Sequence, residues 1–219
     1  MKQTEDCEVG GCFQLCIDFL REEDLSGIAG IEMESHVEPW SEASMREELH
    51  RPISLFWVAR LSRFLDHPPA EGLELQTRRE ACGHGANPIA GYICCWLVAD
   101  ELQILNVTVH KSWRRCGIGK ALLSHALEWG RTHEACSALL EVRKSNLAAQ
   151  LLYRKMGFQA VGERPGYYGI MKEAAVMMER VISHESSTAI EQHPIRRSDE
   201  KHGPDQHPGG SPPPFRGPH

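Results

Sequence analysis

The chain has 219 residues, 41% hydrophobic and 25% charged, with a formal net charge of -6. That is apolar content for one well-filled core, and a length too short to expect two. No basic surplus marks a nucleic-acid footprint, so no nucleic-acid partner is expected. No run of about 18 apolar residues suggests a membrane span, and Met1-Lys2-Gln3-Thr4-Glu5-Asp6 opens no signal peptide. The expectation is a cytoplasmic protein, free of membrane, with its eight cysteines reduced. Cys7, Cys12 and Cys16 form no C-x-x-C pair and no matching His or Cys cluster follows them. They read as buried or idle thiols, and no metal is expected.

In chain order, residues 13–19 read as a first strand. Residues 23–34 and 41–49 read as short helices joined across His36-Val37-Glu38-Pro39-Trp40, with Ser41 as the N-cap of the second. Residues 53–59 and 89–97 are strand-like, rich in β-branched and aromatic side chains. Between them, residues 62–88 carry Asp66-His67-Pro68-Pro69 and Cys82-Gly83-His84-Gly85 and read as a long loop insertion. A strand over 102–109 leads to a helix over 117–130 with Ile118, Leu122, Ala126 and Trp129 on its apolar side. Residues 138–142 form a strand, 146–156 a helix closed by Gly157, and 158–161 and 174–182 two last strands. Leu147 and Leu151, four apart, are expected to face the core. From residue 183 to 219 the chain is Ser, His, Pro, Gly and charge, a composition that cannot offset its ordering entropy, and reads as a disordered tail. One domain over 1–182 follows. Strand-helix-strand-helix-strand behind an antiparallel start means a mixed α/β sheet.

Chemistry concentrates in two places. In Val107-Thr108-Val109-His110-Lys111-Ser112-Trp113-Arg114-Arg115-Cys116-Gly117-Ile118-Gly119-Lys120 a strand runs through a turn straight into a helix. A helix start leaves backbone N–H groups without partners and carries partial positive charge. Gly117 and Gly119 allow an anion close to that backbone, and Arg114, Arg115 and Lys120 surround it with charge, as a pyrophosphate site requires. Taken alone, R-x-x-G-x-G can also serve just the turn, and it is neither a dinucleotide fingerprint nor a P-loop.

The second place is Leu140-Glu141-Val142-Arg143, followed by Asn146 and Tyr153. Asn146 and Tyr153 are seven residues apart, so they share a helix face, with the small Ala149 between them. Glu141 interrupts an apolar strand end, either solvated at a sheet edge or held in a cleft.

On these motifs, with Asn106 ahead of the first and Gly157-Phe158 after the second, the sequence over roughly residues 12–182 resembles the GNAT superfamily of N-acetyltransferases. Pro39-Trp40-Ser41 and Tyr167-Tyr168 make it similar, within that superfamily, to the ribosomal-protein-alanine N-acetyltransferases. The resemblance implies a mostly antiparallel seven-stranded sheet, splayed between its fourth and fifth strands and flanked by about four helices. Acetyl-CoA is implied in the gap as co-substrate. Val107, Thr108 and Val109 would line its pantetheine arm. Arg115, Cys116, Gly117, Ile118, Gly119 and Lys120 would hold the pyrophosphate, and Asn146 would bond the arm. Glu141 is implied as general base and Tyr153 as the acid protonating the thiolate. Trp40, Tyr167 and Tyr168 would meet the acceptor, the N-terminus of a protein of ribosomal type. Cys116 falls beside the phosphate turn, so direct transfer is expected over an acyl-cysteine. Where the family pattern has an acidic pair before the last strand, Lys172-Glu173-Ala174 carries one acid. A lysine or small-molecule amine as acceptor, or a non-catalytic acetyl-CoA-binding role, are the alternative readings.

Overall fold

The computed structural model describes residues 8–9, 13–63, 88–169 and 172–182. Most of the expected insertion, the whole of the expected tail, and Cys7, Cys12 and Cys82 lie outside the described residues. Eight strands form one sheet: β1 (Glu8–Val9), β2 (Phe13–Phe19), β3 (Ser54–Arg63), β4 (Ile89–Val98), β5 (Glu101–Val109), β6 (Ser137–Arg143), β7 (Gln159–Tyr168) and β8 (Glu173–Val181). Their order is β1-β2-β3-β4-β5-β6-β8-β7, with β5 and β6 the parallel neighbours and every other pair antiparallel. The seven strands expected from sequence are present, and the two-residue β1 adds an eighth at the edge. The described helices are α1 (Leu25–Ser35), α2 (Glu42–His50), α3 (Ile118–Thr132) and α4 (Leu147–Lys155). Among the described residues no helix is long and apolar enough to cross a membrane.

Two strand ends differ from expectation. Strand β3 continues to Arg63, with Ser62 paired to Gln14 of β2, and the Leu61 N–H donates to the carbonyl of Pro88 just ahead of β4 at 3.0 Å, so the strand takes up the first residues of the expected insertion. Strand β7 runs past Val161 to Tyr168 along β8. Its register shifts between Ala160 and Gly162 and again between Arg164 and Tyr168. Those irregularities accommodate Pro165 and Gly166 on an edge strand, where a missing N–H costs no ladder bond.

Both faces of the sheet are covered, and alternation between register shifts sorts the strand side chains. Trp57, Ala59, Leu61, Ile93 and Cys95 pack with Leu122, Leu123 and Leu127 of α3. Phe56, Val58, Tyr92 and Cys94 pack with Leu25, Ile28 and Ile31 of α1 and Met45 of α2. Ser41 caps α2 by accepting the Ser44 N–H at 3.0 Å.

The feature that creates a site is a bulge. Cys95 pairs with Ile104 but Cys94 pairs with Asn106, leaving Leu105 as the extra residue. One extra residue bends a strand and flips its side-chain phase. Leu102 and Ile104 face α3, whereas Asn106 and Thr108 face α1. Pairing of β5 with β6 covers Glu101 to Ile104 against Ser137 to Leu140 and then stops. Beyond it β5 stays on β4 and β6 stays on β8, so a wedge opens between Leu105–Val109 of one strand and Glu141–Arg143 of the other.

Candidate active site

The β5 wall of the wedge is backbone. His110 N–H donates to Ala90 O at 2.9 Å, so residue 110 points its backbone at β4. By alternation Thr108 does the same, while Val107 and Val109 turn their N–H and C=O groups into the wedge. The Val109 carbonyl accepts the Arg114 Nε–H at 3.2 Å. Gly91 permits the tight β4–β5 approach: a Cβ there would sit 2.7 Å from the Thr108 carbonyl oxygen.

The turn that follows leads into a helix start without a side-chain cap. A short 3-10 helix, Lys111–Trp113, is followed by Arg115 at φ +67° and Gly117 at φ +83°. Gly117 is the N-cap of α3 and offers no side-chain cap, so the first-turn N–H groups of Ile118, Gly119 and Lys120 have no side-chain acceptor. Alternating left-handed residues beside a helix start aim successive amides at one point, which suits a phosphate. Ile118 is buried and anchors the turn. Arg115, Cys116 and Lys120 are exposed, and neither Arg115 nor Lys120 forms an ion pair with a described residue. Arg114 is committed elsewhere, its Nη2 donating to Ser35 Oγ at 3.1 Å. The two glycines have different reasons. Gly117 supplies the left-handed turn, and Gly119 allows close packing, since a Cβ there would lie 3.3 Å from Leu152.

The β6 wall is side chains. Ala138, Leu140 and Val142 enter the α3-side core, so Glu141 and Arg143 project on the α1 side. Glu141 Oε1 pairs with Arg164 Nη1 at 2.9 Å, while Oε2 is buried without a hydrogen-bond partner. A buried carboxylate oxygen left unpaired is costly, and it is free to take a proton. Tyr167 and Tyr168 pack edge to face at 5.0 Å. Burial first, then the Glu141 carboxylate, raises both phenols, Tyr168 to about 12. Arg164 lies 5.2 Å from the Tyr167 ring and Arg143 4.3 Å from the Tyr168 ring. Arg143 also pairs with Glu38 at 3.0 Å and Glu173 at 3.4 Å, clasping the α1–α2 connection to β6, β7 and β8. The single acid before the last strand is thus fully engaged, since Glu173 also accepts the Ser145 N–H at 2.8 Å.

Helix α4 closes the wedge from the α3 side. Tyr153 is buried against Phe158, and burial followed by the neighbouring Tyr168 raises its phenol well above the usual value. Asn146 caps α4, its Oδ1 accepting the Ala149 N–H at 3.1 Å, which leaves the side-chain amide as its free donor. The expectation that Leu147 and Leu151 face the core is wrong: they are 70% and 51% exposed. Gln150 goes inward with Tyr153 because its amide satisfies the Arg143 and Lys144 carbonyls, at 3.2 and 2.9 Å, where β6 turns into the helix.

The structure therefore gathers Glu141, Tyr167 and Tyr168 on the β6–β8 side and places Trp40 on the α1–α2 connection, partly buried. Thr108 departs from its expected setting: its backbone faces β4 and its hydroxyl bonds Asn106 and Glu32 on the α1 side. Sequence reasoning missed Arg164, Glu38 and Glu32. A charge at an apolar helix phase, Glu32 beside Ile31, was the one available signal.

The sheet is thus wedged open at a bulge, with backbone on one wall, a helix start without a side-chain cap at its end and a carboxylate on the other wall. The chain belongs to the GNAT acetyltransferase family, whose pattern it matches over residues 25–158. It is 33% identical over 159 residues to a Bacillus subtilis protein provisionally assigned as a ribosomal protein bS18-alanine N-acetyltransferase, covering 73% of this chain and 90% of that one. The crystal structure of the ribosomal-protein-S18-alanine N-acetyltransferase from Escherichia coli superposes with a TM-score of 0.62 at 26% identity, over 81% of this chain and 99% of that one. Arabidopsis thaliana NAA60 in complex with acetyl-CoA shares the fold, with a TM-score of 0.60 at 17% identity over 77% and 99% of the two chains.

Proposed function

We propose that this protein transfers acetyl from acetyl-CoA to the N-terminal α-amine of a protein, the N-terminal alanine of a small-subunit ribosomal protein, by direct attack of the amine. The observation that carries the chemistry is Glu141: one oxygen held by Arg164, the other buried and unpartnered at the mouth of the wedge. The acceptor is supported by the names of its relatives from B. subtilis and E. coli, and the co-substrate by the acetyl-CoA held in the NAA60 fold neighbour.

Acetyl-CoA supplies an activated thioester carbonyl. The amides of Ile118, Gly119 and Lys120 would hold its pyrophosphate, with the neighbouring Arg115 and Cys116 backbone completing the cradle. Val107 and Val109 would bond the pantetheine arm as an added strand, and the Asn146 amide would bond it from α4. An ammonium is no nucleophile. Glu141 takes its proton, directly or through a water, a step worth about 10²–10⁴-fold. The wedge-facing amide of Val107 stabilises the developing oxyanion. As the C–S bond breaks, Tyr153, kept protonated by burial, delivers a proton to the leaving thiolate, and the second proton lost by the nitrogen as the amide forms restores the phenol through solvent. Tyr167, Tyr168 and Trp40 would flank the acceptor peptide.

The test is intact-mass detection with acetyl-CoA and short peptides that differ in N-terminus and lysine content. One acetyl group confined to an alanine-initiated terminus is the expected product. Acetylation of lysine side chains or small amines alone would overturn the acceptor, and acetyl-CoA binding without any product would leave a non-catalytic binder.

A further inference from the structure

The α1 side of β5 holds a carboxylate that the chemistry above does not use. Glu32, in the last two turns of α1, is 1% exposed. Its Oε1 accepts the Trp40 backbone N–H at 3.1 Å and the Asn106 side-chain amide at 3.3 Å. Its Oε2 accepts the Tyr92 hydroxyl and lies 3.3 Å from Thr108 Oγ1 and 3.4 Å from His36 Nε2. The shell is closed on itself. His36 Nε2 bonds Thr108 Oγ1 at 2.8 Å, Thr108 donates to Asn106 Oδ1 at 2.9 Å, and Asn106 donates to the Tyr92 oxygen at 3.1 Å. Burial and the Glu32 charge hold the Tyr92 phenol protonated as a donor.

A single buried charge with this many donors is expensive unless all of them are kept in place, and charge-assisted bonds are about twice as strong as neutral ones. The donors come from two sources. Tyr92, Asn106 and Thr108 belong to β4 and the post-bulge part of β5, which makes one wall of the wedge. His36 and Trp40 belong to the α1–α2 connection, which Glu38 clasps to Arg143 on the other wall.

We infer that Glu32 is a positioning residue for the acceptor: its carboxylate pins the α1–α2 connection, Trp40 included, to the strand that lines the wedge. The inference rests on the proposed reading that the acceptor meets that connection. Glu32 touches neither the amide cradle at α3 nor the Glu141 side chain, and although it bonds Asn106 and Thr108 on either side of Val107, that stretch of β5 is also held by its ladder with β4, whereas the Trp40 N–H has Glu32 as its acceptor; the acceptor side should therefore loosen before the acetyl-CoA wall does.

Two variants test this. Glu32→Gln keeps the shape, loses the charge, and retains one carbonyl oxygen for the shell. Glu32→Leu removes every acceptor. Amide hydrogen exchange at Trp40 should quicken at least tenfold in Glu32→Gln and further in Glu32→Leu. With the alanine-initiated peptide, KM should rise about tenfold, the equivalent of about 1.4 kcal/mol. The constants kcat and the acetyl-CoA Kd should stay within about threefold. A folded Glu32→Leu protein with unchanged Trp40 exchange and unchanged peptide KM overturns the assignment. If that variant does not fold, the same result in Glu32→Gln does so. A parallel rise in acetyl-CoA Kd also overturns it, because general loosening would then be the cause. Should the wild type acetylate a different amine, the exchange measurement still decides Glu32 while the peptide assay decides the acceptor.

Discussion

Replacing Tyr153 by Phe separates catalysis from stability. The ring is 8% exposed, packed at 6.0 Å and 61° against Phe158, and Phe keeps that contact. The hydroxyl makes no hydrogen bond to any described residue. Its loss therefore removes no bond from the folded state, and because the hydroxyl is not among the buried side-chain atoms left without a partner, it relieves no desolvation penalty either. At about 2–4 °C per kcal/mol for a chain of this size, Tm should stay within about 2 °C of the wild type. Turnover should fall about 10²–10⁴-fold, because the thiolate leaves without a proton donor. Since burial raises the phenol, the acid form persists beyond pH 10 or so, and the wild-type rate should show no Tyr153 limb below that. Thermal melts followed by circular dichroism and initial rates by intact mass measure both quantities. A folded variant with turnover within threefold of wild type would refute the acid role, and a Tm several degrees lower would show that the hydroxyl has a partner after all.

Three further outcomes follow from the geometry. Glu141→Gln should lower kcat by about 10²–10⁴ with acetyl-CoA affinity intact, and with little change in Tm because the Arg164 partner is 41% exposed; unchanged turnover would sink the base assignment. Gly91→Ala drives a Cβ to 2.7 Å from the Thr108 carbonyl and 3.2 Å from Val109 Cα, both backbone atoms. It should cost about 1–3 kcal/mol and weaken acetyl-CoA binding, and a Tm within a degree of wild type would contradict the packing described. His110 is held below the usual histidine value by burial, with Glu34 opposing, and its Nδ1 accepts the Ser112 N–H at 3.2 Å. Its folded pKa is depressed, so its contribution is whole above about pH 6.5 and is lost as pH falls towards the folded value. His110→Asn, which keeps an acceptor for Ser112, should lose less Tm than wild type between pH 8 and 5.5; equal losses would refute the assignment.

The fold, and the elements that carry the candidate site, were legible in the sequence where the signal is local. Period-two runs gave the strands, and a glycine after a basic pair marked the helix start at 117. Ser41 announced its own cap. Legibility failed where tertiary partners decide. Leu147 and Leu151 satisfy a helical apolar pattern, yet Gln150 takes the inward place because two carbonyls at the end of β6 need its amide. Strand β7 runs on through Pro165 because β8 supplies a partner for an edge strand.

Residue type and local spacing by themselves determined that a strand runs through a glycine-containing turn into a helix start ringed by positive charge, and that Glu141 and Tyr153 fall in the next strand–helix unit, because amide geometry and helical period are properties of a few consecutive residues. The tertiary structure alone decided how they work together. A one-residue bulge at Leu105, visible only through pairing with β4, ends the β5–β6 ladder and opens the wedge. The same phase flip turns Asn106 and Thr108 towards Glu32, 74 and 76 residues away in sequence, a meeting that depends on long-range packing and carries no local signature.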